Sequence, residues 1–321
     1  MKKILFITNM FPTKEHPFDG IFIKEQIEEL QKIHHFEYEV LIIDGIYKGK
    51  GEYLKSIFTI PKKIRAYNPD IIHIHYGISG LFLLFFQPKQ KVFVTLHGSD
   101  FNDRGSNKHQ VWVSRQVIKR ANKVFAQNSE MLKNALIYNK NAEILTCGID
   151  TEYFDILDDF DIPKNSKTII FPSSPTREVK NYPLFCEVIE QIRKMSSYKI
   201  EVKHIENLNR DQVRETLNKA DLLLMTSKTE GSPQSVKEAL SCGLPVVSVP
   251  VGDVAEILSD IPNCHVSLKH DPKELAILAL NALETRKTNI RNAFISKGHY
   301  CTKKISKKLA VDYGFQNMEL L

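Results

Sequence analysis

Apolar residues in this chain fall into short continuous runs, separated by longer stretches where they recur every three or four positions. Lys3–Thr8, Tyr38–Ile43, Ile71–His75, Val92–Leu96 and Lys123–Ala126 are such runs. A short run that is apolar on both faces predicts a strand of a parallel sheet covered by helices on each side. Phe22–Ile33 and Val111–Arg120 carry the helical spacing between them. A second series begins at Lys167–Phe171 and continues with Ala220–Ser227 and Val246-Val247. Strands that alternate with helices throughout predict the α/β class, with two Rossmann-like doubly wound domains. Ligands of such sheets bind outside the carboxyl ends of the strands, so two of them facing each other would leave a cleft there.

The pattern breaks at Thr146–Phe154 and the acidic stretch Asp155–Asp161. This predicts a first domain over residues 1–154 and a second over 155–303. Tyr53–Arg65 mixes apolar and basic residues at helical spacing. Its ordinary reading is an amphipathic core helix broken near Pro61; its other reading is a helix lying on an anionic membrane surface. Leu81–Phe86 is strongly apolar but far too short to span a bilayer.

Chemistry concentrates after the Ala220–Ser227 run. Glu230-Gly-Ser-Pro-Gln-Ser-Val-Lys-Glu238 places two carboxylates around a helix start, and Ala-Leu-Ser-Cys-Gly243-Leu-Pro-Val-Val follows. Ser232 is a good N-cap, Pro233 fits the first helical position and Gly243 suits the C-terminal cap. Gln234 and Ser235 would then present backbone N–H groups without partners in the helix, at the positive end of its dipole, where a phosphate is favoured. Glu238 lies about one turn further in, and its side chain leans back toward the N-terminus, within reach of a ribose diol. Glu230 precedes the helix and can accept from sugar hydroxyls. Two glutamates at this spacing are common on solvated helix faces; the flanking apolar strand and Gly-Leu-Pro-Val-Val set this pair apart.

Residues Glu230–Val247 resemble the signature of retaining glycosyltransferases of family 4, which have the GT-B fold. The family form has an aromatic residue where this chain has Ser232, and small residues where it has Ser241-Cys242. The likeness extends over nearly the whole chain, and implies that residues 304–321 form a helix crossing back to the first domain. Related enzymes carry an Arg and a Lys on the donor diphosphate in the loop after the first strand of domain two. Arg177 and Lys180 of Pro172–Asn181 match them, a planar fork beside a point charge. A solvated loop pair bridged to Glu178 is the alternative for these two. His97, in Thr95-Leu-His-Gly-Ser-Asp100, matches a family His placed near the donor sugar and reacting carbon. Gly20, before the first long helix, matches a glycine that lets backbone approach phosphate or acceptor. The family is held to react on one sugar face, the departing phosphate helping to deprotonate the acceptor.

The resemblance implies transfer of a hexose or N-acetylhexosamine from a nucleotide-diphosphate sugar, a UDP-sugar first among them, to a carbohydrate or lipid-linked acceptor in bacterial surface polysaccharide or glycolipid synthesis. No further cofactor is expected. No Asp-x-Asp metal loop is present, and His73-Ile-His75 lacks the carboxylates or thiols that would complete a metal site, so cations and helix N–H groups are expected to stabilise the leaving diphosphate. A nucleotide-sugar 2-epimerase of the same fold and a non-catalytic partner subunit are the alternative readings. A dinucleotide-binding dehydrogenase is disfavoured because no G-x-G-x-x-G follows the first strand.

At 321 residues the chain is long enough for two domains. Its net charge of +6 is spread along the sequence without the aromatic-basic module of a nucleic-acid binder. Five cysteines without a C-x-x-C pair favour a reducing cytoplasm, with attachment to the inner face of the cell membrane an extension of the Tyr53–Arg65 reading. The apolar N-terminus is too short for a signal peptide and reads as a first strand.

Overall fold

The structure is a computed structural model that describes residues 1–102, 107–157, 166–284 and 289–315. The chain divides into two compact units, Met1–Cys147 with the segment from Thr302, and Gly148–Cys301. The first unit runs β1 (Lys2–Thr8), α1 (Ile21–Ile33), β2 (Phe36–Ile42), α2 (Gly51–Tyr67), β3 (Ile71–His75), β4 (Lys91–Thr95), α3 (Lys108–Ile118), β5 (Lys123–Ala126), α4 (Ser129–Leu136) and β6 (Ala142–Ile144). Its strands are all parallel in the order β2-β1-β3-β4-β5-β6. The central strands β1, β3, β4 and β5 are buried on both faces, which explains their apolar runs, whereas β2 and β6 at the edges are mostly half-buried or exposed. Ile4 and Phe6 face a core shared with Ile23, Ile27 and Leu30 of α1, while Leu5 and Ile7 face one shared with Ile60 and Ile64 of α2.

Helix α2 passes through Pro61 rather than breaking there. The proline removes one amide donor, but Ile60, Pro61 and Ile64 are all buried against the sheet, and that burial holds the helix across the gap.

The second unit runs β7 (Ser166–Phe171), α5 (Tyr182–Met195), β8 (Lys199–His204), α6 (Arg210–Lys219), β9 (Leu222–Met225), α7 (Gln234–Ser241), β10 (Val246–Ser248), α8 (Val254–Leu258), β11 (His265–Val266), α9 (Pro272–Glu284) and α10 (Ile290–Lys297). Its parallel sheet has the order β11-β10-β9-β7-β8. Leu222 to Met225 are completely buried, each side chain contributing about 1.5–3 kcal/mol. In each sheet the strand order reverses direction once, beside β1 and beside β7, and connections from neighbouring strands part there to leave room for a ligand.

A final helix, α11 (Thr302–Asp312), packs on α1 of the first unit. Lys123 pairs with Asp312, and Lys308 donates to the Ile144 carbonyl at 2.8 Å. Two boundaries differ from those expected at 154 and 304. Ile149 donates its N–H to the Tyr300 carbonyl at 2.9 Å, and Phe154 is buried in the second unit's core, so residues 148–154 belong to that unit. The α11 helix starts at Thr302. Residues 158–161 of the acidic stretch and 316–321 of the expected terminal helix lie outside the described residues.

Candidate functional site

In the second unit the loops after β7 and β9 leave adjacent strands at the switch point. That topology brings together residues 50 apart in sequence: Lys180 Nζ lies 2.6 Å from Glu230 Oε1. Both side chains are largely buried, at 13% exposure each. The loops are stitched by backbone as well. Lys228 donates its N–H to the Val179 carbonyl at 2.8 Å, and the Thr226 hydroxyl donates to the Lys180 and Asn181 carbonyls at 3.1 and 3.2 Å. Asn181 has a φ of 55°, a left-handed conformation that Asn adopts more readily than most residues and that lets the chain turn from the Lys180 loop into α5. Arg177 stands exposed at the start of the short 3-10 turn Glu178–Lys180. Glu178 takes Lys228 as its partner at 2.8 Å and leaves Lys180 to Glu230.

The helix after this loop begins one residue later than the sequence suggests. Pro233 occupies the N-cap position and Gln234 opens α7. Ser232 therefore stands one residue before the cap, and its hydroxyl accepts from Lys237 Nζ at 3.1 Å. The backbone N–H groups of Gln234 and Ser235 still fall in the first turn, where helix geometry supplies them no partner. At the other end Gly243, with φ 70°, donates to the Leu240 carbonyl at 3.0 Å, and Leu244 donates to that of Ala239 at 2.8 Å. This paired closure satisfies two of the carbonyls a helix leaves over.

Glu238, one turn into α7, is buried and accepts from Arg210 Nη1 at 2.8 Å. Arg210 is the first residue of α6, positioned by a capping box in which Asn209 and Gln212 exchange bonds. Its guanidinium also lies over the Phe154 ring, 4.5 Å from the centroid. The sequence shows the Asn-x-x-Gln box but nothing that links Arg210 to Glu238, 28 residues on. A carboxylate offers about four lone-pair directions, so this bond leaves acceptor capacity for a diol.

In the first unit, Gly20 and His97 follow β1 and β4 of that unit's switch region. Gly20 caps α1 in a left-handed conformation with φ 59°. A Cβ there would lie 2.4 Å from the Met10 carbonyl oxygen, so the close approach of two backbone segments already requires glycine. His97 lies against Phe22, Tyr76 and His75, with centroids 5.1, 4.4 and 5.4 Å away. Its Nε2 is 3.2 Å from His75 Nδ1, and its Nδ1 is 3.7 Å from Cys147 Sγ. Burial drives the His97 pKa well below the usual imidazole range, and His75 lowers it further, so the ring is neutral at pH 7. Burial alone takes His75 down to about 3. Asp100 explains the acid of the His-Gly-Ser-Asp run: its carboxylate accepts from Gly77 N–H at 2.8 Å and His97 N–H at 2.9 Å, tying two strand ends together.

His73 is fully buried, bonded to the Tyr313 hydroxyl and, at 2.7 Å, to the Thr95 hydroxyl. Among the described residues no group of three or more His, Cys, Asp or Glu side chains is arranged to hold a metal ion. Among them, too, no helix is long and apolar enough to cross a membrane.

Two family models match the chain: glycosyl transferases group 1 over residues 186–299, and glycosyltransferase family 4 over residues 22–153. A Bacillus subtilis protein named as a teichuronic acid biosynthesis glycosyltransferase is 25% identical, over 86% of this chain and 87% of its own length. An uncharacterized glycosyltransferase of Methanocaldococcus jannaschii is 28% identical over 78% of each chain. Among solved structures, sucrose-phosphate synthase from Thermosynechococcus elongatus superposes with a TM-score of 0.76 at 13% identity, over 98% of each chain. Anabaena HepE, solved in complex with UDP, gives 0.71 at 16% identity, over 98% of this chain and 100% of its own. These two likenesses show the fold.

Proposed function

Because the chain belongs to the group 1, family 4 glycosyltransferases of the GT-B fold, we propose that its second unit binds a nucleotide-diphosphate sugar and that the enzyme transfers the sugar to an acceptor hydroxyl with retention of configuration. One observation supports this most: Lys180, Glu230, the start of α7 and the Arg210–Glu238 pair converge at the carboxyl ends of β7 and β9. Glu238, oriented by Arg210, holds the ribose diol. Lys180 and Arg177 neutralise the diphosphate, and the N–H groups of Gln234 and Ser235 hydrogen-bond to it. Glu230 accepts from sugar hydroxyls; for the neutral His97, in the first unit, the family resemblance alone implies a place near the sugar. Lys180 pairs with Glu230 until a phosphate takes it over.

A leaving diphosphate held by cations and helix N–H groups needs no metal ion, and no other cofactor is proposed. HepE, a fold neighbour, was solved with UDP and with UDP-glucose, which makes a UDP-hexose or UDP-N-acetylhexosamine the first donor to test. Retention rests on the family resemblance, as does the departing phosphate's role as the base for the acceptor.

The acceptor is proposed to be a carbohydrate or lipid-linked glycan of a bacterial surface polymer, following the name of the Bacillus subtilis relative. Helix α2 supports a lipid-side acceptor. Leu54 and Phe58, one turn apart, are 62% and 71% exposed, and the exposed cations Lys55, Lys62 and Arg65 lie on the same helix. Phe58→Ser should weaken co-sedimentation with anionic phospholipid vesicles; unchanged co-sedimentation would remove α2 from the proposal.

The donor assignment is tested by equilibrium binding of UDP, GDP and ADP to wild type and Glu238→Ala. Hydrogen bonds to a charged group are worth about 1.5–3 kcal/mol, so one nucleotide should bind wild type about 10- to 100-fold more tightly than the variant. Equal binding to both would remove Glu238 from the ribose.

A further inference from the structure

Lys237 lies between the core residue Val236 and the site residue Glu238, yet it is completely buried. Burying an ammonium is costly unless a partner and hydrogen bonds compensate, and an apolar residue of similar volume is often as stable or more so. Its surroundings explain where it is used. Lys237 Nζ donates to the Ser232 hydroxyl at 3.1 Å, and that hydroxyl faces the carboxyl of Asp253, whose Oδ1 is buried without a hydrogen-bond partner among the described residues. Asp253 is itself 5% exposed and feels the positive charge of Lys237. Glu256 and Tyr300 are the other titratable groups whose charges couple to this buried set, and Lys237 Nζ stands 5.8 Å from the Tyr300 ring centroid.

The same loop presses on the neighbouring residues from below. Gly252 has φ 54°, and a Cβ on it would lie 2.6 Å from the Gly231 carbonyl oxygen and 3.0 Å from that of Glu230. Backbone contact and the Lys237–Ser232–Asp253 chain therefore converge on Glu230 to Ser232, the segment leading into the first turn of α7. A buried lysine and a buried aspartate thus sit beneath the loop that carries Glu230.

We propose that Lys237 and Asp253 are positioning residues: linked through Ser232, they fix the Glu230 loop and the start of α7 in the geometry that accepts a nucleoside diphosphate. This rests on the donor-site reading above. The pair touches no ligand and is retained for the shape of the loop rather than for stability.

The test separates binding from folding. In Lys237→Met/Asp253→Asn both charges are removed together, so neither is left buried alone and the melting temperature should stay at or above that of wild type. UDP affinity in that variant should fall by at least about tenfold. Ser232→Ala, which removes the link and keeps both charges, is the second variant should the first fail to fold, and should lose affinity in the same direction. A UDP Kd within about twofold of wild type in either folded variant overturns the proposal, since tenfold is the effect at stake. Wild type that binds neither UDP nor GDP nor ADP would overturn the donor-site reading, and this proposal with it; that result is distinct from a variant that binds as wild type does.

Discussion

The two switch regions share a geometry and differ in electrostatics. In the second unit the strand ends carry ion pairs, Lys180 with Glu230 and Arg210 with Glu238, above the buried Lys237 and Asp253. In the first unit the corresponding place holds neutral imidazoles stacked among aromatic rings, His75 with His97 and both near Phe6, Tyr76 or Phe22. One region holds its cations on resident carboxylates. The other pairs its neutral imidazoles with a buried carboxylate, Asp100, whose oxygens are taken by the Gly77 and His97 N–H groups. Parallel sheets supply the position in both, and the side chains set the electrostatics of each.

If the charged region is a coupled network, removing one partner should have the largest effect. Arg210→Ala leaves Glu238 buried without its guanidinium, and stripping a buried pair of one member costs about 3–5 kcal/mol. Arg210 is itself partly exposed, so the loss should fall at the lower end of that range. Urea unfolding would read it, and an unchanged midpoint would mean the pair is not coupled to the fold.

The neutral region makes an opposite prediction about pH. His73, His75 and His97 all have lowered pKa values, principally through burial, and so bind protons in the unfolded chain first. The stability they provide is present above about pH 6.5 and is lost as pH falls through that value, by about 1.4 kcal/mol per imidazole per pH unit. Asp253 acts in reverse: burial raises its carboxyl to about 6, so its protonation stabilises the fold as pH falls through that value. Asp100 and Asp312 are raised as well, and His34 and His265 lowered. The imidazoles titrate in the unfolded chain at about 6.5, inside the window, and outweigh the carboxyls, so the urea midpoint should drop between pH 7.5 and pH 5.5. A midpoint that stays level would break the contrast between the two regions.

A smaller effect is expected at Gly20. An alanine there needs a left-handed backbone and meets the Met10 carbonyl, a strain of about 1–3 kcal/mol. Calorimetry of Gly20→Ala should show a lowered melting temperature; an unshifted one would free Gly20 from its structural duty.

Much of this architecture was legible in the chain because local pattern and topology agree. Ile71–His75 and Lys123–Ala126 form strands at the limits their apolar runs suggest, and the Glu230–Gly243 run does form a loop, a helix and a glycine closure. What local pattern could not show are pairings made by the sheet. Arg210 meets Glu238, and Gly252 packs against the Glu230 and Gly231 carbonyls, only because β9 and its neighbours bring distant loops together. Ser232 looked like a cap because its sequence neighbours favour one; a buried lysine one turn later takes its hydroxyl instead. Pro61 looked like a break because burial on both sides of it is invisible in a single helix.

The measurement that bears most directly on the account is titration of wild type, Lys180→Ala and His97→Ala with the nucleoside diphosphate that wild type prefers. The account predicts that Lys180→Ala loses about tenfold or more in affinity while His97→Ala binds as wild type does, because only the charged region meets the diphosphate. Equal affinity in wild type and Lys180→Ala, or a loss confined to His97→Ala, would contradict it.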